Sequence, residues 1–204
     1  MARAFRRKGE RFVARLDDDE RGVVVWLMDQ TRELLAPEPR EQTGDPFEDL
    51  VARMGLPRLK DDEDLADEAP QPPPDPALER LLPSAHREDP ALAAEFRRLT
   101  EQGLRERKTT NLATAISALT DPDGDKVRLD QEQAEAMVVA LTDTRLLLGE
   151  RLGLRTDEDS DALQDRLEAA SEEDPQLYLA AYYDFLTWLQ ESLIQALMGG
   201  SRPV

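Results

Sequence analysis

RLDDDERGVVVWLMDQTRELL (residues 15–35) and RLDQEQAEAMVVALTDTRLLL (residues 128–148) align without a gap. Both open on Arg-Leu-Asp and both close on Thr-Arg-x-Leu-Leu. Each reads as a short strand that runs straight into a helix. The Asp ends the β-compatible run, and its carboxylate can accept from the orphan N–H groups of the first turn and meet the positive end of the helix dipole. Beyond it, in the first copy, Val23, Val24, Leu27, Met28, Thr31, Leu34 and Leu35 recur at helical spacing, which predicts a helix starting near Glu20. Two such units can pair their strands and pack their helices pseudo-symmetrically. Strand–cap–helix junctions also look alike without any symmetry, and spacing alone does not separate the two.

Working outward, Phe5, the turn Lys8-Gly9-Glu10 and then Phe12, Val13 and Leu16 predict a hairpin ahead of the first unit. Ala36-Pro37 and Pro39 stop the first helix, and PFEDLVARMGL predicts a short one ending at Gly55. RLKDDEDLADEAPQPPPD, residues 58–75, is acidic and Pro-rich and cannot bury enough surface to offset its ordering entropy. Helical character resumes at ALERLLP, and Asp89-Pro90 opens a long helix in which Leu92, Phe96, Leu99, Leu104, Leu112, Ile116 and Leu119 hold the period. The turn DPDGD leads into the second unit, and two further helices follow, DALQDRLEAA and PQLYLAAYYDFLTWLQESLIQALM. The predicted fold is mainly α (α+β): a helical bundle with a small antiparallel sheet made from the N-terminal hairpin and one further short strand at 126–130. In domain terms, 1–56 is hairpin plus helices and 57–77 a flexible linker. Residues 78–198 are a helical body packing with 1–56 as one domain, and 199–204 a disordered tail.

Composition excludes several functions. With 44 acidic against 26 basic residues the net charge is -18, so the bulk surface repels nucleic-acid phosphates and anionic membranes. Cys is absent, which removes disulfides, thiol catalysis and cysteine-based redox sensing. MARAFRRKGERF lacks the apolar core of a secretory signal, and no run approaches the ~20 apolar residues of a membrane span. The chain is expected to be soluble and cytoplasmic.

Catalytic constellations are hard to find. A lone His86 near Ser84 matches no nucleophile framework, and there is no phosphate-cradling Gly-rich loop, so no enzyme and no cofactor is expected. DPDGDKVRLDQE carries Asp121, Asp123, Asp125 and Glu132 at the positions of a calcium loop. Lys126 stands where that loop needs its turn glycine, and a polar turn followed by a strand with Asp130 as helix cap explains the same residues. In the C-terminal helix Tyr178, Tyr182, Phe185 and Leu189 form one stripe with Tyr183 and Trp188 off it, which fits either core or a homodimer face.

The cations concentrate in LTEQGLRERKTTNLATAISAL, residues 99–119, preceded by Arg97 and Arg98. On a helix Arg98, Arg105 and Lys108 share a flank from which Arg107 diverges. Glu95, Glu101 and Glu106 are interleaved at distances that allow helix-surface ion pairs. No supporting helix-turn-helix or basic surround is visible, so direct DNA binding by the chain alone is not expected. Arg3, Arg6, Arg7 and Lys8 extend the patch only if folding brings them near. Arg98, Arg105, Arg107 and Lys108 are therefore the candidate partner-binding residues.

The order FRRKGERFVARLDDDE, then DPALAAEFRRLTEQGLRERKTTNL, then YYDFLTWLQESLIQAL resembles the actinobacterial oxidative stress regulator (AosR-like) family across nearly the whole chain outside the acidic linker. The resemblance implies a cytoplasmic, non-enzymatic regulator that acts on transcription of redox and cysteine-biosynthesis genes through a sigma factor or RNA polymerase. Thiol sensing does not carry over, because this chain has no Cys. The family's common neighbourhood with a Clp adaptor implies an alternative, an adaptor or structural protein of the Clp proteolytic system. A calcium-responsive module is a third reading.

Overall fold

The computed structural model describes residues 2–36, 75–83, 90–169 and 174–199, with the side chains of 90–99 and 157 outside that description. The elements are β1 (Arg3–Lys8), β2 (Arg11–Arg15), α1 (Asp18–Leu35), α2 (Pro76–Leu81), α3 (Pro90–Thr120), β3 (Lys126–Leu129), α4 (Gln131–Arg151), α5 (Asp157–Ala169) and α6 (Pro175–Leu197). The protein is mainly helical, with one antiparallel sheet in the order β1-β2-β3. The predicted fold class is the observed one.

Gly9 and Glu10 alone join β1 to β2, and Lys8 pairs with Arg11 as the last rung. Gly9 has φ +62, the left-handed conformation that the first position of a two-residue hairpin favours and that glycine adopts without a Cβ penalty. On β2 and β3, Phe12 faces Leu129 and Ala14 faces Val127, which puts all four on one side. That side is core: Phe12, Ala14, Val127 and Leu129 are almost wholly buried, with Phe5 beside them. α1 covers it with Val24, Leu27, Met28 and Leu35, and α4 with Met137, Ala140, Leu141 and Leu148. α3 contributes Leu112, Ala115 and Leu119, and α6 contributes Leu186, Leu189 and Leu193. Each such Leu is worth roughly 1.5–3 kcal/mol of burial.

The two repeats are related by a local two-fold axis. Asp17 accepts from Glu20 N at 3.0 Å while Glu20 Oε2 accepts from Asp17 N at 2.9 Å. In the second unit Asp130 accepts from Gln133 N at 2.9 Å and Gln133 Oε1 accepts from Asp130 N at 3.0 Å. Both are capping boxes. Ala14 and Val127, equivalent in the alignment, lie opposite each other in the strand ladder. Thr31 and Thr144, also equivalent and 113 residues apart, bring their hydroxyls to 3.5 Å where α1 meets α4. Equivalent residues thus meet twice, once in the strand ladder and once between the helices, as a local two-fold relation requires. A chance likeness of junctions requires neither contact.

Some boundaries move. α1 starts at Asp18, not near Glu20, because Asp17 and not a later Asp is the cap. The linker expected to run to 77 stops short of it: Asp75 caps α2, Pro76 sits in its first turn and Ala77 is fully buried. An Asp-Pro pair starts a helix as well as it punctuates a loop, since proline lacks only an N–H that the first turn leaves unpaired. α5 begins before residue 161, where Thr156 N donates to Asp159 and Asp159 N donates to the Thr156 hydroxyl. Of the expected stripe on α6, Leu189 is buried in the core and Tyr182 and Phe185 pack against it, while its first member lies outside. Tyr178 is 56% exposed, and Leu186, Leu189, Leu193 and Ala196 occupy the buried side, an aliphatic set at the same helical spacing. The short helix expected at 46–56, the linker up to residue 74, Ser84, His86 and the tail from residue 200 lie outside the described residues.

Candidate interaction surface

The alternation that buries Phe12, Ala14, Val127 and Leu129 turns their neighbours outward. From β2 these are Arg11, Val13 and Arg15; from β3, Lys126 and Arg128, which the register sets opposite Arg15 and Val13. β1 adds Arg6 opposite Val13, Lys8 opposite Arg11 and, past an irregularity in the ladder between Arg3 and Arg6, Arg3 opposite Arg15. Every outward position except Val13 is thus a cation. On a chain of net charge -18, one sheet face is basic. Three of these cations hold carboxylates of the chain itself: Arg11 with Asp130 at 3.4 Å, Arg15 with Asp125 at 3.2 Å and Arg128 with Asp123 at 2.7 Å. Arg3, Arg6, Lys8 and Lys126 have no ion-pair partner among the described residues. Arg7 lies on the inward side at the sheet margin, its guanidinium 5.9 Å from the centre of the Phe12 ring.

Sequence reading placed the basic surface on α3 instead, and there the side chains are already engaged. Arg105 donates to Glu101 at 2.9 Å and to the carbonyl of Leu35, the last residue of α1, at 3.1 Å. It thereby satisfies a helix-end carbonyl that has no partner within α1. Lys108 pairs with Asp143 on α4, and the two side chains are only 15% and 2% exposed. Arg107 is exposed, and Arg98 lies on α3 with its side chain outside the described ones. The structure therefore brings Arg105 and Lys108 onto the α1 and α4 contacts and leaves Arg107 apart from them. The signal for the sheet face was present as Arg or Lys at most of the alternate strand positions; a hairpin reading that looks for the apolar half of the alternation passes over it.

A family described as a domain of unknown function, DUF2017, matches residues 2–197. The chain belongs to that family. No curated protein and no solved structure matches the chain.

The remaining candidate positions of this DUF2017 chain are resolved locally. In the loop 121–125 the backbones of Asp123 and Lys126 exchange hydrogen bonds around Gly124, whose φ is +65. The carboxylates of Asp123 and Asp125 point to Arg128 and Arg15, and Asp121 and Glu132 are exposed. Among the described residues no group of three or more acidic or His side chains is placed to hold a metal ion. The polar turn with Asp130 as cap is the arrangement found.

Lys108 and Asp143 border a cavity of about 350 Å³ between α2, α3 and α4, walled by Leu81, Leu104, Val139 and Leu146. Burial pushes the Asp143 carboxyl above its ordinary pKa, against the opposing pull of Lys108. Its Oδ2 is buried and makes no hydrogen bond. A second buried polar cluster ties α4 to α6. Gln190 donates to Thr142 at 2.6 Å and to Val138 O at 3.1 Å, and accepts from Arg145 at 2.6 Å. Arg145 also lies 5.1 Å from the centre of the Tyr183 ring. Both clusters cross-link helices, and neither presents a nucleophile beside a base. Among the described residues no helix is long and apolar enough to cross a membrane.

Proposed function

We propose that the chain is a non-enzymatic regulatory protein that acts on transcription through protein contacts, with a sigma factor or RNA polymerase as the partner. The observation that carries this reading is the segregation of charge: a chain of net charge -18 presents one sheet face on which every outward position but Val13 is cationic. Such a surface orients an encounter with another charged macromolecule and sets its register more than it sets its chemistry. The acidic body disfavours DNA as the direct partner, since phosphate binding depends on cations displacing counterions over many contacts. The cytoplasmic setting and the link to oxidative stress belong to the same proposal and rest on the segment order described above. A second copy is a further partner in this reading. Phe185 and Trp188 stack at 5.9 Å, Trp188 is 37% exposed and Ile194 36% exposed, an apolar margin on α6 suited to a homodimer.

Affinity capture of the tagged chain from a native actinobacterial lysate, read by mass spectrometry, tests the reading. Sigma factor or core polymerase is expected in the eluate. Clp subunits in their place would turn the assignment to a proteolytic adaptor.

A further inference from the structure

We propose that the outward face of the β1-β2-β3 sheet is the docking surface for an acidic segment of a partner protein. That segment lies across the strands with its carboxylates on Arg3, Arg6, Lys8 and Lys126. The inference rests on the protein-contact reading above and supplies its surface and the chemistry of its partner.

The chain itself demonstrates the recognition. Asp130, Asp125 and Asp123 already sit on Arg11, Arg15 and Arg128, and in each pair both side chains remain between 43% and 63% exposed. These contacts are the kind a foreign carboxylate can make with the guanidinium of Arg3 or Arg6 and, as a point-charge pair, with the ammonium of Lys8 or Lys126. Three strands about 4.8 Å apart and some five residues long give a face of about 10 by 17 Å, the footprint of a short extended or helical segment. Strand addition at the β1 edge is not the mode. The Phe5 N–H donates to Ser192 Oγ at 3.1 Å, so α6 occupies that edge and the contacts come from side chains.

A nucleic acid fits less well. A duplex is wider than the face and would extend past it on a chain whose net charge is -18. No aromatic residue occupies an outward position of the three strands, so bases have nothing to stack on. A protein acidic segment needs neither a long footprint nor a stacking platform.

The test is fluorescence anisotropy with a labelled oligo-glutamate peptide and, separately, a labelled mixed-sequence DNA duplex. Both are titrated with the full chain and with Arg6→Glu/Lys8→Glu and Arg107→Glu. The peptide is expected to bind the parent protein in a salt-sensitive manner. The sheet variant should lose roughly tenfold in affinity, as two exposed ion pairs of up to ~1 kcal/mol each imply. Arg107→Glu, an exposed reversal of one charge on α3, should bind like the parent. Circular dichroism melts confirm that both variants fold. Absence of peptide binding, equal loss in both variants, or binding of the duplex in preference to the peptide would each overturn the proposal. If the sheet variant captures polymerase as well as the parent does, the regulator reading stands and this surface does not. If the peptide docks but polymerase is never captured, the surface stands without that reading.

Discussion

Lys108 and Asp143 form the most deeply buried ion pair among the described residues, and the consequence is asymmetric. Removing one partner leaves the other charge uncompensated, whereas replacing both by apolar groups of similar size is often neutral. Lys108→Met should therefore cost about 3–5 kcal/mol in urea denaturation, and Lys108→Met/Asp143→Leu should recover most of that. The pH trend follows from the raised carboxyl of Asp143. An acid whose folded pKa exceeds its unfolded one destabilises the fold above that pKa, and the cost disappears as pH falls through it. In Lys108→Met this cost loses its opposing cation, so the variant's deficit should shrink as pH drops from neutral. Asp75 has the opposite sign. The Arg151 guanidinium holds its carboxyl below the ordinary 3.8, so its contribution is present above that value and is lost as pH falls beneath it. Asp75→Asn keeps the helix cap but not the charge. It should lose up to ~1 kcal/mol at neutral pH and match the parent in acid, measured by melts across pH. Neither pairing was legible in the sequence. Lys108 and Asp143 are separated by 35 residues, and local pattern cannot say which exposed-looking cation will fold against a buried acid.

At the scale of elements, the repeated unit was legible because its signals are local: an Asp cap, a Glu or Gln three residues on, and an apolar face of helical period. Its two capping boxes predict parallel behaviour. Asp17→Ala and Asp130→Ala should each cost about 0.5–2 kcal/mol, in thermal denaturation, with the same sign and similar size. A loss at one site alone would mean that the repeats do not bear equal roles. The contact of Thr31 with Thr144 was not legible, since it depends on how the helices cross. The aliphatic line of α6 was legible only in part, because tyrosines one position away compete for the same face and only tertiary packing chooses between them. Alternation decided the sheet as well. The apolar half of β2 located the core, while the cationic half acquires meaning only once Arg3, Arg6 and Lys8 lie beside Lys126 and Arg128, more than a hundred residues away in sequence.

For the whole molecule, β2 runs down the centre of one face between β1 and β3, with α1 and α4 behind the sheet and α3 and α6 closing the core. Cations fill the outward sheet positions apart from Val13, which makes this face the distinct basic pole of an otherwise acidic chain. On the proposed function, this pole joins the chain to the transcription machinery. The most direct measurement of that link is interferometry of the purified full chain against immobilised RNA polymerase holoenzyme, run with the parent and with Arg6→Glu/Lys8→Glu. The parent is expected to bind in a salt-sensitive manner and the variant to lose that binding. Failure of the parent to bind, or undiminished binding by the variant, would contradict the proposal.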